Sequence, residues 1–250
     1  NGHPLPYGIA IWNIGNEPWS AKEFNFNAEG YLNTALPIID AMRAIDPSIR
    51  ITLPAVGKAT SAWNALLLND TRLQGKVYGL SPHYFYEETV VDGKILKGVA
   101  HVEEILPTLA GTAASKGLKI VVGDHAQGIP TDTNGVPVSN PDSAMQWQGA
   151  VTTTDFLLLI SQINNIERAN FWVYGLPMAV WHPIRLNADG SYTLMPVAAL
   201  YKRLSPLFLD NSLAVTTVSP ASGDGNPYAV RSSAFSSNDH SKVNVIVVNR

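Results

Sequence analysis

A chain of 250 residues is long enough for one α/β barrel or two smaller domains, and with 46% apolar and 15% charged residues it reads as globular rather than disordered. Seventeen Lys and Arg against twenty Asp and Glu give a net charge of −3 with no run of one sign, which argues against nucleic acid or an anionic membrane surface as partner. Cysteine is absent, so thiol chemistry, disulfides and Cys-based metal sites are excluded.

From Tyr7 onward, apolar runs alternate with amphipathic stretches, the pattern of parallel βα units. Tyr7 to Ile14 is expected to be a strand, with Trp12 in the core. It leads into Gly15, Asn16, Glu17 and Pro18, which free the backbone and then stop the ladder. Ala28 to Ala44 reads as a helix that Pro37 should kink or break. A strand over Arg50 to Val56 and a helix over Ser61 to Leu68 follow. Asn69-Asp70-Thr71 is a glycosylation sequon, a pattern short enough to arise by chance.

Val77 to Tyr86 is the third strand and ends in Ser81, His83, Tyr84 and Tyr86. Glu87 and Glu88 after it read as a solvated face. A helix over Val102 to Lys116 leads into the strand Leu118 to Gly123, with Asp124 and His125 just beyond its end. A long loop from Gln127 to Pro141 precedes a helix from Ser143 to about Asn164. Ile166 to Tyr174 is the fifth strand. Glu167 begins it, at the end opposite to Trp172 and Tyr174, and Trp181 and His182 fall in the loop after it. The last helix of the series is Pro196 to Leu209. After Asp210, three β-rich stretches (Leu213 to Val218, Tyr228 to Phe235, Val243 to Val248) lie between Ser/Gly/Asn/Asp turns, as in an antiparallel sandwich.

Five βα units do not close a barrel of eight, and an open doubly wound sheet is weakened by the lack of any Gly-rich phosphate loop. Polar and carboxylate residues instead cluster at the C-terminal ends of the strands, where a parallel barrel builds its active site. Two carboxylates flanked by aromatic residues at one mouth suit glycoside cleavage. One protonates the leaving oxygen, and the other attacks the anomeric carbon or activates water.

The segment "WNIGNEP" resembles the acid/base motif of the clan-A retaining glycoside hydrolases, in which Asn-Glu-Pro ends the fourth barrel strand. "SPHYFY" resembles the sixth strand of that clan, "KIVVGDHA" the seventh, where the nucleophile sits, and "FWVYG" the eighth. "MPVAALYKRLSPLF" followed by "VIVVNR" is similar to the last barrel helix and small sandwich of the α-L-arabinofuranosidase, β-xylosidase and β-glucuronidase/heparanase-like families. The resemblance implies strands 4 to 8 of a (β/α)8 barrel over residues 1–210, then the beginning of a β-sandwich over 211–250. It also implies that the N-terminal part of the barrel is a partner, as a separate or cleaved chain. The opening at Asn1 reads as a processed or partial product.

On this resemblance Glu17 is the general acid/base, its apolar strand keeping its pKa high, while Asn16 binds the 2-hydroxyl of the sugar and Pro18 fixes the turn. Asp124 stands where the clan has Glu as nucleophile. Aspartate is one methylene shorter, and retaining chemistry needs carboxyls roughly 5–5.5 Å apart. Three readings stay open: a nucleophile with a shifted backbone, an inverting base, or a catalytic loss. His83, Tyr84, Tyr86, His125, Trp172, Trp181 and His182 are the candidate substrate contacts, each also readable as core or wall. His83 and Tyr84 would in addition orient the nucleophile. No cofactor or metal is implied. The expected function is a secreted or cell-surface glycosidase acting on a polysaccharide or oligosaccharide, with a cytoplasmic location left open. Two alternatives stand beside it: an impaired, carbohydrate-binding or structural relative, and a transglycosidase.

Overall fold

A computed structural model describes residues 8–21, 23–58, 60–86, 89–91, 94–96, 98–129, 144–173, 181–221 and 228–249. The expected sites at Glu87, Glu88 and Tyr174, and most of the expected loop up to Pro141, lie outside the described residues.

Five strands form one sheet in the order β1 (Ile11–Asn13), β2 (Arg50–Ala55), β3 (Gly79–Phe85), β6 (Lys119–Ala126) and β7 (Ile166–Phe171). The pairs β1–β2 and β2–β3 are parallel, with Trp12 opposite Ile51 and Leu53 opposite Leu80. Helix α1 (Ala28–Ile45) connects β1 to β2, and α2 (Ala62–Asn69) connects β2 to β3. Helix α3 (Gly98–Ser115) precedes β6, and α4 (Trp147–Ser161) precedes β7. The apolar runs of β2 and β6 are buried on both faces, as parallel strands under helices require.

Local chemistry sets the helix starts. Asn27 caps α1 by accepting from Gly30 N–H, and Ser61 caps α2 by accepting from Asn64 N–H. Helix α1 runs through Pro37 without the expected break, and buries Tyr31, Leu32, Ala35 and Ile39. Trp12 is 40% exposed and not core, because β1 pairs only with β2 among the described residues. Strand β6 continues through Asp124 and His125, so both are strand residues and not loop residues.

Two hairpins that the periodicity did not announce are inserted: β4 (Thr89–Val91) with β5 (Lys94–Leu96), and β8 (Ile184–Leu186) with β9 (Tyr192–Leu194). Helix α5 (Pro196–Leu204) then leads to an antiparallel sheet of β10 (Asn211–Leu213), β11 (Val230–Ser236) and β12 (Val243–Asn249). Most of the segment expected as a strand up to Val218 is not one: only Leu213 belongs to β10. Phe235, Ile246 and Val248 of this sheet pack on Leu158 of α4 and Leu204 of α5.

The chain divides into two compact units, residues 1–83, 105–123 and 165–169 against 84–104, 124–164 and 170–250. In the first, Arg50 pairs with Glu167 at 2.9 Å, and its guanidinium lies 4.9 Å from the Tyr78 ring centroid, at the N-terminal ends of β2, β3 and β7. Glu167 thus has a structural role there. In the second, the antiparallel sheet is tied to α4 and α3 through Arg231, which meets Asp155 at 2.5 Å and Glu103 at 2.7 Å.

Candidate active site

In the first unit, the turn after β1 presents Glu17. Gly15 has φ of +92° and Glu17 itself has φ of +35°, so two residues of the turn occupy the left-handed region. Ser20 N–H closes the turn on the Glu17 carbonyl at 2.8 Å, and Phe26 N–H donates to the Pro18 carbonyl at 2.8 Å. A left-handed, non-glycine residue at a strand end is a strained position of the kind that clusters at functional sites. Asn16 is exposed beside it.

The Glu17 side chain is 36% exposed and accepts a hydrogen bond from Nδ1 of His83 at 3.0 Å. That bond from a nearly buried imidazole holds the Glu17 carboxyl below its ordinary value, outweighing the opposing effect of burial. This reverses the expectation of a raised pKa: the apolar strand supplies less desolvation than His83 supplies stabilisation. His83, expected to orient the nucleophile, bonds the acid/base candidate. The other edge of its ring covers Gly123 of β6. A Cβ at Gly123 would sit 2.5 Å from Ser81 Oγ and 2.9 Å from the His83 ring, so only glycine fits there.

In the second unit, His125 is almost completely buried, its ring stacked at 4.6 Å on Phe156 of α4 and edge-on to Phe171 at 5.6 Å. Tyr86 is equally buried. Its hydroxyl lies 3.4 Å from His125 Nδ1 and 3.1 Å from Thr153 Oγ1. Burial pushes the His125 pKa down to about 3, so this imidazole is neutral at any ordinary pH. Tyr84 is buried beside Phe156. Neither Tyr86 nor His125 offers surface to a sugar in this structure. The Tyr84 hydroxyl, His125 Nε2 and Gln127 Nε2 are buried without a partner among the described residues.

Asp124 is half-buried on β6. Trp172 is half-buried, its N–H donating to the His125 carbonyl at 3.0 Å, and the peptide bond after it is cis. Trp181 packs at a tilt on Phe85, ring centroids 5.2 Å apart, and donates from Nε1 to the Gln127 carbonyl. His182 Nε2 lies 3.0 Å from an Arg185 guanidinium nitrogen. Ser81 was read only as part of the polar end of its strand, and the roles of Gly123, Thr153 and Phe156 were missed by sequence reasoning. The one available signal was the polar run Thr152-Thr153-Thr154-Asp155 inside an otherwise apolar helix, all of it buried. Among the described residues no group of three or more His, Asp or Glu is placed to hold a metal, and no helix is long and apolar enough to cross a membrane.

The βα alternation and the sheet order define the fold as part of a (β/α)8 barrel followed by antiparallel sheet, and solved structures agree. The chain superposes on the family 51 (GH51) α-L-arabinofuranosidase of Thermotoga petrophila RKU-1 with a TM-score of 0.72 at 19% identity, covering 99% of this chain and 53% of that one. The family 51 α-L-arabinofuranosidase AbfB of Bifidobacterium longum gives 0.73 at 13% identity, over 100% of this chain and 55% of that one. The family 30 subfamily 8 xylanase Xyn30A of Clostridium acetobutylicum gives 0.56 at 17% identity, over 96% and 50%. The fold is therefore glycosidase-like, and the chain spans about half the length of these structures. No protein-family model matches the chain, and no curated protein matches its sequence.

Proposed function

We propose that the protein is a glycoside hydrolase that cleaves an O-glycosidic bond with two carboxylates, Glu17 as acid/base and Asp124 at the nucleophile position, with retention. The observation that carries this reading is the Glu17–His83 pair. A carboxylate at the end of a barrel strand sits in a left-handed turn and is bonded at 3.0 Å by an imidazole from the end of β3. A surface glutamate on an ordinary βα loop has no use for either feature. In this arrangement the ionised form is favoured, which suits the step in which Glu17 takes a proton from water. To protonate the leaving oxygen first, Glu17 must hold a proton against the His83 bond, so chemistry is favoured on the acid side of neutrality.

Asn16, Trp172, Trp181 and His182 remain the proposed sugar contacts, and hydrolysis of this kind needs no cofactor. Pentose glycosides are the first substrates to try, since the similar folds include an α-L-arabinofuranosidase and a xylanase. Activity belongs to the whole protein, of which these residues are about half if its length follows those structures.

The test is the full-length protein and its Glu17→Ala and Asp124→Ala variants on an activated aryl glycoside, with and without azide. Azide should restore Glu17→Ala to give the β-configured glycosyl azide from a β-substrate (or α from α), and Asp124→Ala to give the inverted azide. Wild-type turnover unaffected by either substitution would sink the reading. Inverted product from the wild type would instead make Asp124 the base of a single displacement.

A further inference from the structure

The loop between Glu17 and α1 belongs wholly to the first unit and lies at the C-terminal ends of β1 and β2. Backbone hydrogen bonds make it rigid. The Ser20 carbonyl accepts from the N–H groups of Glu23, Phe24 and Asn25 at 3.0, 3.1 and 2.9 Å, and Ser20 N–H in turn donates to the Glu17 carbonyl. Asn25 takes a left-handed φ of +51°, which asparagine tolerates, just before Phe26 and the Asn27 cap.

Aromatic contacts anchor this loop on two sides. Trp19 packs edge-on to Trp63 with ring centroids 5.2 Å apart. Trp63 is itself buried against Tyr31 and donates from Nε1 to the Pro54 carbonyl of β2. Phe26 rests on the first turn of α1, 3.5 Å from where a Cβ at Gly30 would sit. Phe24 is different. Its ring stacks on Phe26, centroids 5.9 Å and planes 23° apart, yet the residue is 61% exposed. Phe26 thus supports one face of a ring that is otherwise turned to solvent. The π face of such a ring is negative and attracts the C–H groups on one face of a sugar. Glu23 and Asn25, its exposed neighbours in the chain, carry a carboxylate and an amide able to bond sugar hydroxyls.

A general acid must touch the oxygen between the two sugars it separates, so the departing sugar lies on the acid's side of the bond. Resting on the reading of Glu17 as that acid, we infer that the loop after Glu17 is a subsite for the leaving group, with the Phe24 ring as its platform. The substrate is then a chain of several sugars that continues past the cleaved bond on this side. The hydrogen bonds from Ser20 to Glu17 and from Phe24 to Ser20 fix the platform relative to the acid. Glu17 can therefore hold the glycosidic oxygen while Phe24 meets a sugar of the departing chain. A small leaving group leaves the platform unused.

The experiment compares the full-length wild type with Phe24→Ala, Phe24→Leu, Phe24→Tyr and Glu17→Ala. Its substrates are a glycosyl fluoride that the wild type hydrolyses and oligosaccharides that present the same sugar at the cleaved bond. Fluoride is too small to reach the platform. Phe24→Ala should lose about tenfold in kcat/KM on the oligosaccharides, the scale of one aromatic-face contact, mostly through KM. On the fluoride it should stay within about twofold of wild type. Phe24→Leu, apolar without a flat face, should behave as Phe24→Ala does, and Phe24→Tyr should stay within about twofold on both substrates. Equal losses by Phe24→Ala on both substrates would mean that the loop acts by shaping the Glu17 turn, and the inference falls. It falls too if Phe24→Ala or Phe24→Leu cleaves the oligosaccharides like the wild type, while the reading of Glu17 stands. If Glu17→Ala cleaves the oligosaccharides like the wild type, that reading fails and takes the inference with it.

Discussion

Through the bond from His83 Nδ1, the carboxylate of Glu17 is favoured over its acid form, and the consequence can be measured in a pH profile. If Glu17 is the acid, kcat/KM declines as pH rises through its pKa in the free protein. Replacing His83 by Phe keeps a ring over Gly123 but removes the donor, so the pKa rises and the alkaline limb should move to higher pH. A limb that stays in place or moves down would show that Glu17 is not the titrating acid. His125 has the opposite kind of consequence, for stability rather than rate. Its folded pKa of about 3 lies below the ordinary 6.5, so the unfolded chain binds a proton that the folded one refuses. The stability is fully present above about pH 6.5 and declines toward pH 3, at up to about 1.4 kcal/mol per pH unit. His125→Phe should flatten that part of a plot of Tm against pH. An unchanged slope would mean that other groups carry it.

At the scale of elements, the fastening of the antiparallel sheet depends on one buried charge. Asp155 on α4 has a fully buried side chain, held by Arg231 Nε of β11 at 2.5 Å and by the Tyr228 hydroxyl at 2.7 Å. Arg231 also donates to Glu103 on α3, and its guanidinium lies 4.5 Å from the Tyr228 ring centroid. Arg231→Met strands that carboxylate and should cost about 3–5 kcal/mol by denaturant unfolding. Asp155→Leu combined with Arg231→Met should recover most of the loss, because no uncompensated charge remains. If the double variant is as unstable as the single one, the network contributes attraction beyond mutual neutralisation. The helices and long strands were legible from apolar spacing, since α1 and β2 each bury one continuous pattern. The hairpins β4–β5 and β8–β9 were not, because strands of three residues carry too little alternation to separate from a loop. The Glu17 turn was legible from Gly15 and Pro18. Its partner was not: nothing in the spacing of His83 says that its ring bonds Glu17 and bars a side chain at Gly123.

For the molecule as a whole, what stays uncovered is informative. Ile9, Trp12 and Ile45 are exposed around a shallow cavity of about 380 Å³ that Met42 and Ile49 also line, beside the edge strand β1. In the second unit the register of the β8–β9 hairpin sets Ile184 beside Leu194 and Leu186 beside Tyr192, all four exposed. On β12, Val243, Val245 and Val247 form an exposed apolar row while Ile246 and Val248 face α4 and α5. An edge strand with a row of valines pairs readily with another chain, since its unmet N–H and C=O groups and its apolar face both favour addition of a strand. Residues 1–250 expressed alone should therefore self-associate at about 50 μM, within the range where exposed strand edges drive aggregation. Light scattering behind size exclusion would read this. Val245→Lys places a charge in the middle of the row, where an added strand would have to bury it, and should shift the population toward monomer without lowering Tm. Association unaffected by Val245→Lys, but abolished by Trp12→Lys, would move the sticky face from β12 to the open edge at β1.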